Sequence, residues 1–121
     1  MILVKGEDTG GRYSLMYEAL PKGSGAPPHK HIWSDEHFSI LDGDSPSWSA
    51  RSFVRAARAT SFSYRETPRH AFRVDSETAT FLNGYAPAGL ELAVAECAMP
   101  APTRTIPPKG ATPPPKMTED Q

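Results

Sequence analysis

Three histidines and one glutamate have the residue types and spacing of a metal site. His29 and His31 are one residue apart, so on a strand both side chains leave the same face. Glu36 can return to that face if a short connection reverses the chain after Ile32, and its carboxylate favours a divalent cation. His70, at the start of a later predicted strand, is the best candidate for a fourth ligand. Imidazole suits zinc, iron, copper and nickel alike, so these residues leave the metal's identity open.

Two neighbouring residues offer alternatives to this set. A His-x-His pair on its own is also found among ordinary surface histidines. Asp35 could replace Glu36 as the carboxylate, although its spacing from the histidines fits less well. His37 directly follows Glu36, so on a strand it faces the other way, and we interpret it as a surface or supporting histidine.

The distribution of proline limits where a core can form. The chain has 121 residues, enough for one domain, and seven of its 13 prolines follow Met99. The sequence therefore predicts a folded domain over residues 1–98. Residues 99–121 are predicted to be a proline-rich arm, extended or disordered.

Charge, cysteine content and hydropathy exclude several classes of protein. With 13 basic and 14 acidic residues and no block of like charge, no nucleic-acid partner is expected. Cys97 is the only cysteine, so it forms no internal disulfide, and we interpret it as a small hydrophobic residue late in a strand. No apolar run approaches the roughly 20 residues that span a bilayer. We expect a cytoplasmic protein with no membrane partner.

Short alternating segments separated by turns dominate the chain and predict an all-β barrel or sandwich. In the first segment Tyr13, Leu15, Tyr17 and Ala19 alternate with Ser14, Met16 and Glu18, so one face of this strand is expected to be buried. The segment Leu90–Cys97 fits either a last strand or a short helix. Predicted strands are 13–19, 29–31, 36–41, 62–64, 70–74 and 79–85, with turns at 42–44 and 75–77.

The spacing around the histidines resembles the first signature motif of the cupin superfamily. Gly23, five residues, His29-x-His31, four residues, Glu36, six residues and Gly43 satisfy every interval of that motif. The segments His70–Arg73 (HAFR) and Phe81–Gly89 (FLNGYAPAG) resemble the second half of small single-domain cupins, notably the quercetin-dioxygenase-like group. The resemblance covers approximately Thr9 to Gly89.

This resemblance implies an antiparallel double-stranded β-helix, the cupin or jelly-roll barrel, with a metal in its wider end. By position, His29, His31 and Glu36 match the first-motif ligands, and His70 matches the histidine of the second motif. The implied cofactor is a divalent ion of iron, manganese, nickel, copper, cobalt or zinc. Cupins of this kind are commonly homodimers, so a homodimer is expected.

Two functions are compatible with the resemblance. The first is a metal-dependent, dioxygenase-like oxidoreductase acting on a small aromatic or enolic substrate, with Glu36 as both ligand and proton acceptor. The second is a non-catalytic cupin that binds a metal or small ligand, or that has kept only the barrel.

Several positions depart from the family pattern. The family places a glycine shortly before the second-motif histidine and an asparagine a few residues after it. In this chain residues 65–69 contain no glycine, and Val74 stands where the asparagine is usual. Arg69 aligns as an insertion, which could turn His70 away from a metal. Residues 45–52 include Pro46 and lack strand alternation, and 59–65 lack the usual turn. Our hypothesis is that these two stretches are out-of-frame sequence.

Overall fold

A computed structural model describes residues 1–44, 47–49, 52–54, 58, 61–64, 69–98, 100–101, 103 and 105–106. The strands are β1 (Ile2–Val4), β2 (Ser14–Pro21), β3 (Gly25–His29), β4 (Asp35–Asp42), β5 (Ser47–Ser49), β6 (Ser52–Val54), β7 (Ser61–Tyr64), β8 (His70–Arg73) and β9 (Thr78–Ala86). A 3-10 turn (Gly6–Thr9) follows β1, and helix α1 (Leu90–Cys97) follows β9.

The strands form two sheets in which every pair is antiparallel. One sheet has the order β1-β2-β9-β4-β7, and the other has the order β3-β8-β5-β6. The predicted all-β antiparallel architecture is confirmed. No helix among the described residues is long and apolar enough to cross a bilayer.

The apolar core lies on the inner face of the larger sheet. Phe38 and Ile40 on β4 and Phe81 on β9 are each at most 3% exposed. Phe72 on the smaller sheet packs against them, with its ring centroid 5.2 Å from that of Phe38. The core thus joins the two sheets.

The structure decides which face of β2 is buried, a choice that the sequence pattern leaves open. Ser14 and Met16 are buried, whereas Tyr13 is 48% exposed. The register with β9 sets Met16 opposite Asn83 and Ser14 opposite Tyr85, and that face of β9 is the buried one. The buried face of β2 is therefore the one that carries Ser14 and Met16, because strand pairing outweighs the hydrophobicity of one strand.

The two motif glycines have backbone angles that other residues rarely adopt. Gly23 has φ 83° and Gly43 has φ 85°. A side chain at Gly43 would also overlap the carbonyl oxygen of Thr78. Gly43 lies in the predicted turn 42–44, so β4 ends where the sequence places its end.

Helix α1 resolves the choice left open for Leu90–Cys97. Its buried Glu91 accepts hydrogen bonds from the backbone N–H groups of Gly6 (2.9 Å) and Gly89 (2.7 Å), which fix the helix against the start of the chain. Cys97 is half-buried at the end of this helix, not late in a strand as expected.

Other expectations fall partly outside the described residues. Residues 45, 46, 50, 51, 59, 60 and 65 lie outside them, as does most of the arm 99–121. Within these stretches, Ser47–Ser49 is a strand that pairs with both β6 and β8 despite its lack of alternation. The out-of-frame hypothesis stays a prediction, which the nucleotide sequence would test.

Candidate metal centre

Three strands from the two sheets position the candidate ligands. His29 is the last residue of β3 and pairs in register with His70, the first residue of β8. Glu36 is the second residue of β4, in the opposite sheet. His31 lies two residues beyond the end of β3, so the expected single strand from His29 to His31 stops at His29.

The four side chains converge on one point. Oε2 of Glu36 lies 2.9 Å from Nε2 of His31 and 2.6 Å from Nε2 of His70. Nε2 of His29 lies 3.2 Å from Nε2 of His31. One ligand atom from each residue lies within 4.8 Å of the others. The extra residue Arg69 does not turn His70 away, since His70 is 1% exposed and directed into the cluster.

The neighbouring candidates lie elsewhere. Asp35 is exposed and outside the cluster, so the structure favours Glu36 as the carboxylate. His37 is also exposed, and its Nε2 lies 3.0 Å from the hydroxyl of Ser39. His37 therefore faces away from Glu36, as the alternation along a strand predicts.

His29 is held in the form that binds metals. Its Nδ1 lies 2.7 Å from the carbonyl oxygen of Pro27, an acceptor only, so Nδ1 carries the proton. Burial lowers the pKa of His29, and the neighbouring His70 and His31 lower it further. Together these effects outweigh the hydrogen bond to Pro27, which by itself would raise the pKa. The neutral ring then has an unprotonated Nε2 on the side of the cluster.

Glu36 is buried and ionised. Burial by itself would raise the pKa of this carboxyl, but hydrogen bonds from His31, His70 and Tyr85 outweigh it and lower the pKa to about 2. The Tyr85 hydroxyl donates to Oε1 at 2.5 Å, and Asn83 Nδ2 donates to the same oxygen at 3.2 Å. Both carboxylate oxygens therefore have defined partners.

This donor set fits a divalent metal. Metal–nitrogen and metal–oxygen bonds of about 2.0–2.2 Å place ligand atoms about 3–4 Å apart. The ligand atoms here are separated by 2.6 Å to 3.2 Å in the closest pairs and all lie within 4.8 Å of one another, a range that includes this spacing. His29 offers an unprotonated nitrogen, and Glu36 supplies a negative charge. Imidazole and carboxylate ligands together suit iron, manganese, nickel, copper, cobalt or zinc, and the geometry does not select one.

The sequence prediction missed the polar residues behind Glu36. Asn83 and Tyr85 are 3% and 4% exposed and share the inner face of β9 with Phe81. Glu18 on β2 accepts a hydrogen bond from Asn83 Nδ2 at 3.1 Å. A usable signal existed, because Asn83 and Tyr85 continue the alternation of Ala79 and Phe81 while being polar.

A cavity of about 530 Å³ adjoins the cluster at His31. Its apolar lining includes Ile32, Trp33, Leu90 and Ala93, and Lys30 is the one lysine, arginine or acidic residue among the described residues that line it. The hydroxyl of Ser34 donates to the carbonyl oxygen of Pro87 at 2.9 Å and joins the two segments that border the cavity. Small-molecule sites commonly have volumes of roughly 300–1,000 Å³, so the cavity is of suitable size.

No family model matches the chain, and no curated protein matches it either. Solved structures do match. KdgF from a Halomonas species has a TM-score of 0.68 at 12% identity, over 76% of this chain and 82% of that one. A predicted oxalate decarboxylase from Thermotoga maritima has a TM-score of 0.66 at 19% identity, over 71% and 76%.

A third solved structure has a fold that is named explicitly. It is an RmlC-like cupin family protein with a double-stranded β-helix fold from Methanocaldococcus jannaschii, and it matches with a TM-score of 0.58 at 16% identity, over 69% of this chain and 77% of that one. The chain has the cupin fold. At these identities the likeness concerns the fold of this cupin-like chain and leaves its activity open.

Proposed function

We propose that this cupin-like barrel binds one divalent metal ion through His29, His31, Glu36 and His70. The observation that carries the proposal is the convergence of three imidazole nitrogens on a buried, ionised carboxylate. Burying polar groups is costly unless each has a partner, and a metal ion bound between the four side chains would supply one to each of them.

We further propose that the metal serves a dioxygenase-like oxidoreductase. This finer step depends on the sequence resemblance of His70–Arg73 and Phe81–Gly89 to the quercetin-dioxygenase-like group. A bound metal of this kind would supply Lewis-acid or redox chemistry to a substrate and dioxygen. His29, His31 and His70 would hold it, and Glu36 would add the negative charge.

The cavity beside His31 supports a small aromatic or enolic substrate. Trp33 and Ile32 offer apolar surface to a planar molecule, and Lys30 offers a positive charge to an enolate oxygen. Glu36 was also expected to accept a proton. Its pKa of about 2 makes it a weak base in this arrangement, so its role as a ligand is the better supported of the two.

A non-catalytic barrel is the second candidate function. The hydrogen bonds from His31 and His70 to Glu36 already satisfy its Oε2. The cluster can therefore persist as a structural polar network in a protein that binds a ligand without turnover. The expected homodimer and cytoplasmic location remain part of the proposal; the exposed Trp33 and Leu92 are compatible with a partner surface.

Oxygen uptake distinguishes the two functions. Protein reconstituted separately with each of the six metals would be supplied with flavonol-like and enol substrates. Uptake by the wild type that is absent in His29→Ala/His31→Ala supports the oxidoreductase. Stoichiometric metal without uptake supports the non-catalytic cupin, and His37→Ala serves as the matched control because His37 lies outside the cluster.

A further inference from the structure

The two oxygens of Glu36 have different surroundings. Oε2 faces the imidazoles of His31 and His70. Oε1 faces away from them and accepts from the Tyr85 hydroxyl at 2.5 Å and from Asn83 Nδ2 at 3.2 Å. Glu36, Asn83 and Tyr85 are 2%, 3% and 4% exposed, so water does not readily replace any of these partners.

The strand pairing brings these partners together. In the register of β4 with β9, Glu36 lies opposite Tyr85 and Phe38 lies opposite Asn83. Side chains at opposite positions of an antiparallel pair share a face, so both donors reach the carboxylate from the neighbouring strand. Their placement thus depends on the sheet and not on a loop.

The amide of Asn83 is oriented by several acceptors. Besides Glu36, its Nδ2 donates to Oε1 of Glu18 at 3.1 Å and to the hydroxyl oxygen of Tyr85 at 3.1 Å. Rotating the amide by half a turn would direct its carbonyl oxygen at the carboxylates of Glu18 and Glu36. That orientation is unfavourable because the carbonyl oxygen and the carboxylates are all acceptors. Glu18 therefore helps to set which end of Asn83 faces Glu36.

We propose that Tyr85 and Asn83 are positioning residues. Their hydrogen bonds hold Oε1 of Glu36, so that only Oε2 is available to bind the metal. This inference rests on the proposed metal site. If Oε1 turned to the metal, the buried hydroxyl of Tyr85 would lose its acceptor and the amide of Asn83 would lose one of its three acceptors, which is unfavourable. A carboxylate limited to one ligating oxygen keeps a coordination position available for a substrate.

The first test measures Co²⁺ affinity by competition with a chromophoric chelator. Tyr85→Phe is expected to weaken binding about 10- to 100-fold, the usual effect of removing a group that orients a ligand. Tyr17→Phe is the matched control, because Tyr17 lies opposite Leu82 on the outer face of the same sheet. In Co²⁺-loaded Tyr85→Phe, the separation of the carboxylate infrared bands is expected to narrow as Oε1 also binds.

The second test uses metal-free protein, so it decides the positioning role whether or not a metal binds. The ring ¹⁵N shifts of His31 and His70 report whether Oε2 still accepts from them. Tyr85→Phe is expected to move these shifts, and Tyr17→Phe is expected to leave them unchanged. Asn83→Leu, of similar size, provides a second variant should Tyr85→Phe fail to fold.

The outcomes separate the two proposals. A wild type that takes up no Co²⁺ overturns the metal site, while shifted ¹⁵N signals would still support positioning. Unchanged shifts in both Tyr85→Phe and Asn83→Leu would overturn positioning, as would wild-type Co²⁺ affinity in both variants.

Discussion

The hydroxyl of Tyr85 donates a hydrogen bond to Oε1 of Glu36, 2.5 Å away on the adjacent strand. Tyr85→Phe removes this donor and leaves a buried carboxylate with fewer partners. A hydrogen bond to a charged group contributes about 1.5–3 kcal/mol, so the free energy of unfolding is expected to fall by about that amount. Urea unfolding measures it. Tyr17→Phe should change little, and an equal loss in both variants would refute the special role of Tyr85.

The low pKa of Glu36 predicts a specific dependence of stability on pH. A carboxyl whose pKa falls from 4.5 to about 2 on folding stabilises the protein above pH 4.5, and that stability is lost as the pH falls towards 2. Its full contribution to the free energy of unfolding is about 3 kcal/mol. The difference in unfolding free energy between metal-free wild type and Glu36→Gln should therefore shrink from pH 5 to pH 2. A constant difference would contradict the prediction.

Glu18 has the opposite effect on stability. Burial raises its pKa, the charge of Glu36 raises it further, and the hydrogen bond from Asn83 only partly offsets this. Its ionised form is therefore disfavoured in the folded state at pH 7, and the cost disappears at low pH. Glu18→Gln keeps an acceptor for Asn83, so its Tm is expected to exceed the wild-type Tm at pH 7, with a smaller gain near pH 4. The exposed Glu96→Gln is the control, and an equal gain there would refute the explanation.

The core prediction concerns Phe81, which is fully buried between the sheets. Phe81→Ala leaves a cavity beside Phe38 and Phe72 and is expected to reduce the free energy of unfolding by about 3–5 kcal/mol. Leu92, which is 64% exposed on α1, gives the matched control Leu92→Ala with an expected change within about 0.5 kcal/mol. Chemical denaturation compares the two, and similar losses would contradict the placement of the core.

Local patterns in the sequence predicted much of the fold and the residues that converge at the centre. The spacing of Gly23, His29, His31, Glu36 and Gly43 depends on neighbouring turns and strands, so it can be recognised without knowing the tertiary pairing. The positive φ angles of Gly23 and Gly43 explain why glycine occupies these positions. The buried alternation of Glu36, Phe38 and Ile40 on β4 follows from strand periodicity.

Features that depend on long-range pairing were not predictable. The inner face of β2 is set by its register with β9, so the alternation along residues 13–19 could not show which face is buried. The contact of Tyr85 with Glu36 joins residues 49 positions apart, and no local spacing encodes it. The helix at Leu90–Cys97 is fixed by Glu91 contacting Gly6 at the far end of the chain, which periodicity alone cannot show.

The most direct test of the proposed centre is its metal content, measured by elemental mass spectrometry on protein purified without added metal. We expect close to one iron, manganese, nickel, copper, cobalt or zinc ion per chain in the wild type and in His37→Ala. The same ion should be absent from His29→Ala/His31→Ala. A wild-type protein that is empty and also fails to take up added divalent metal would contradict the proposal.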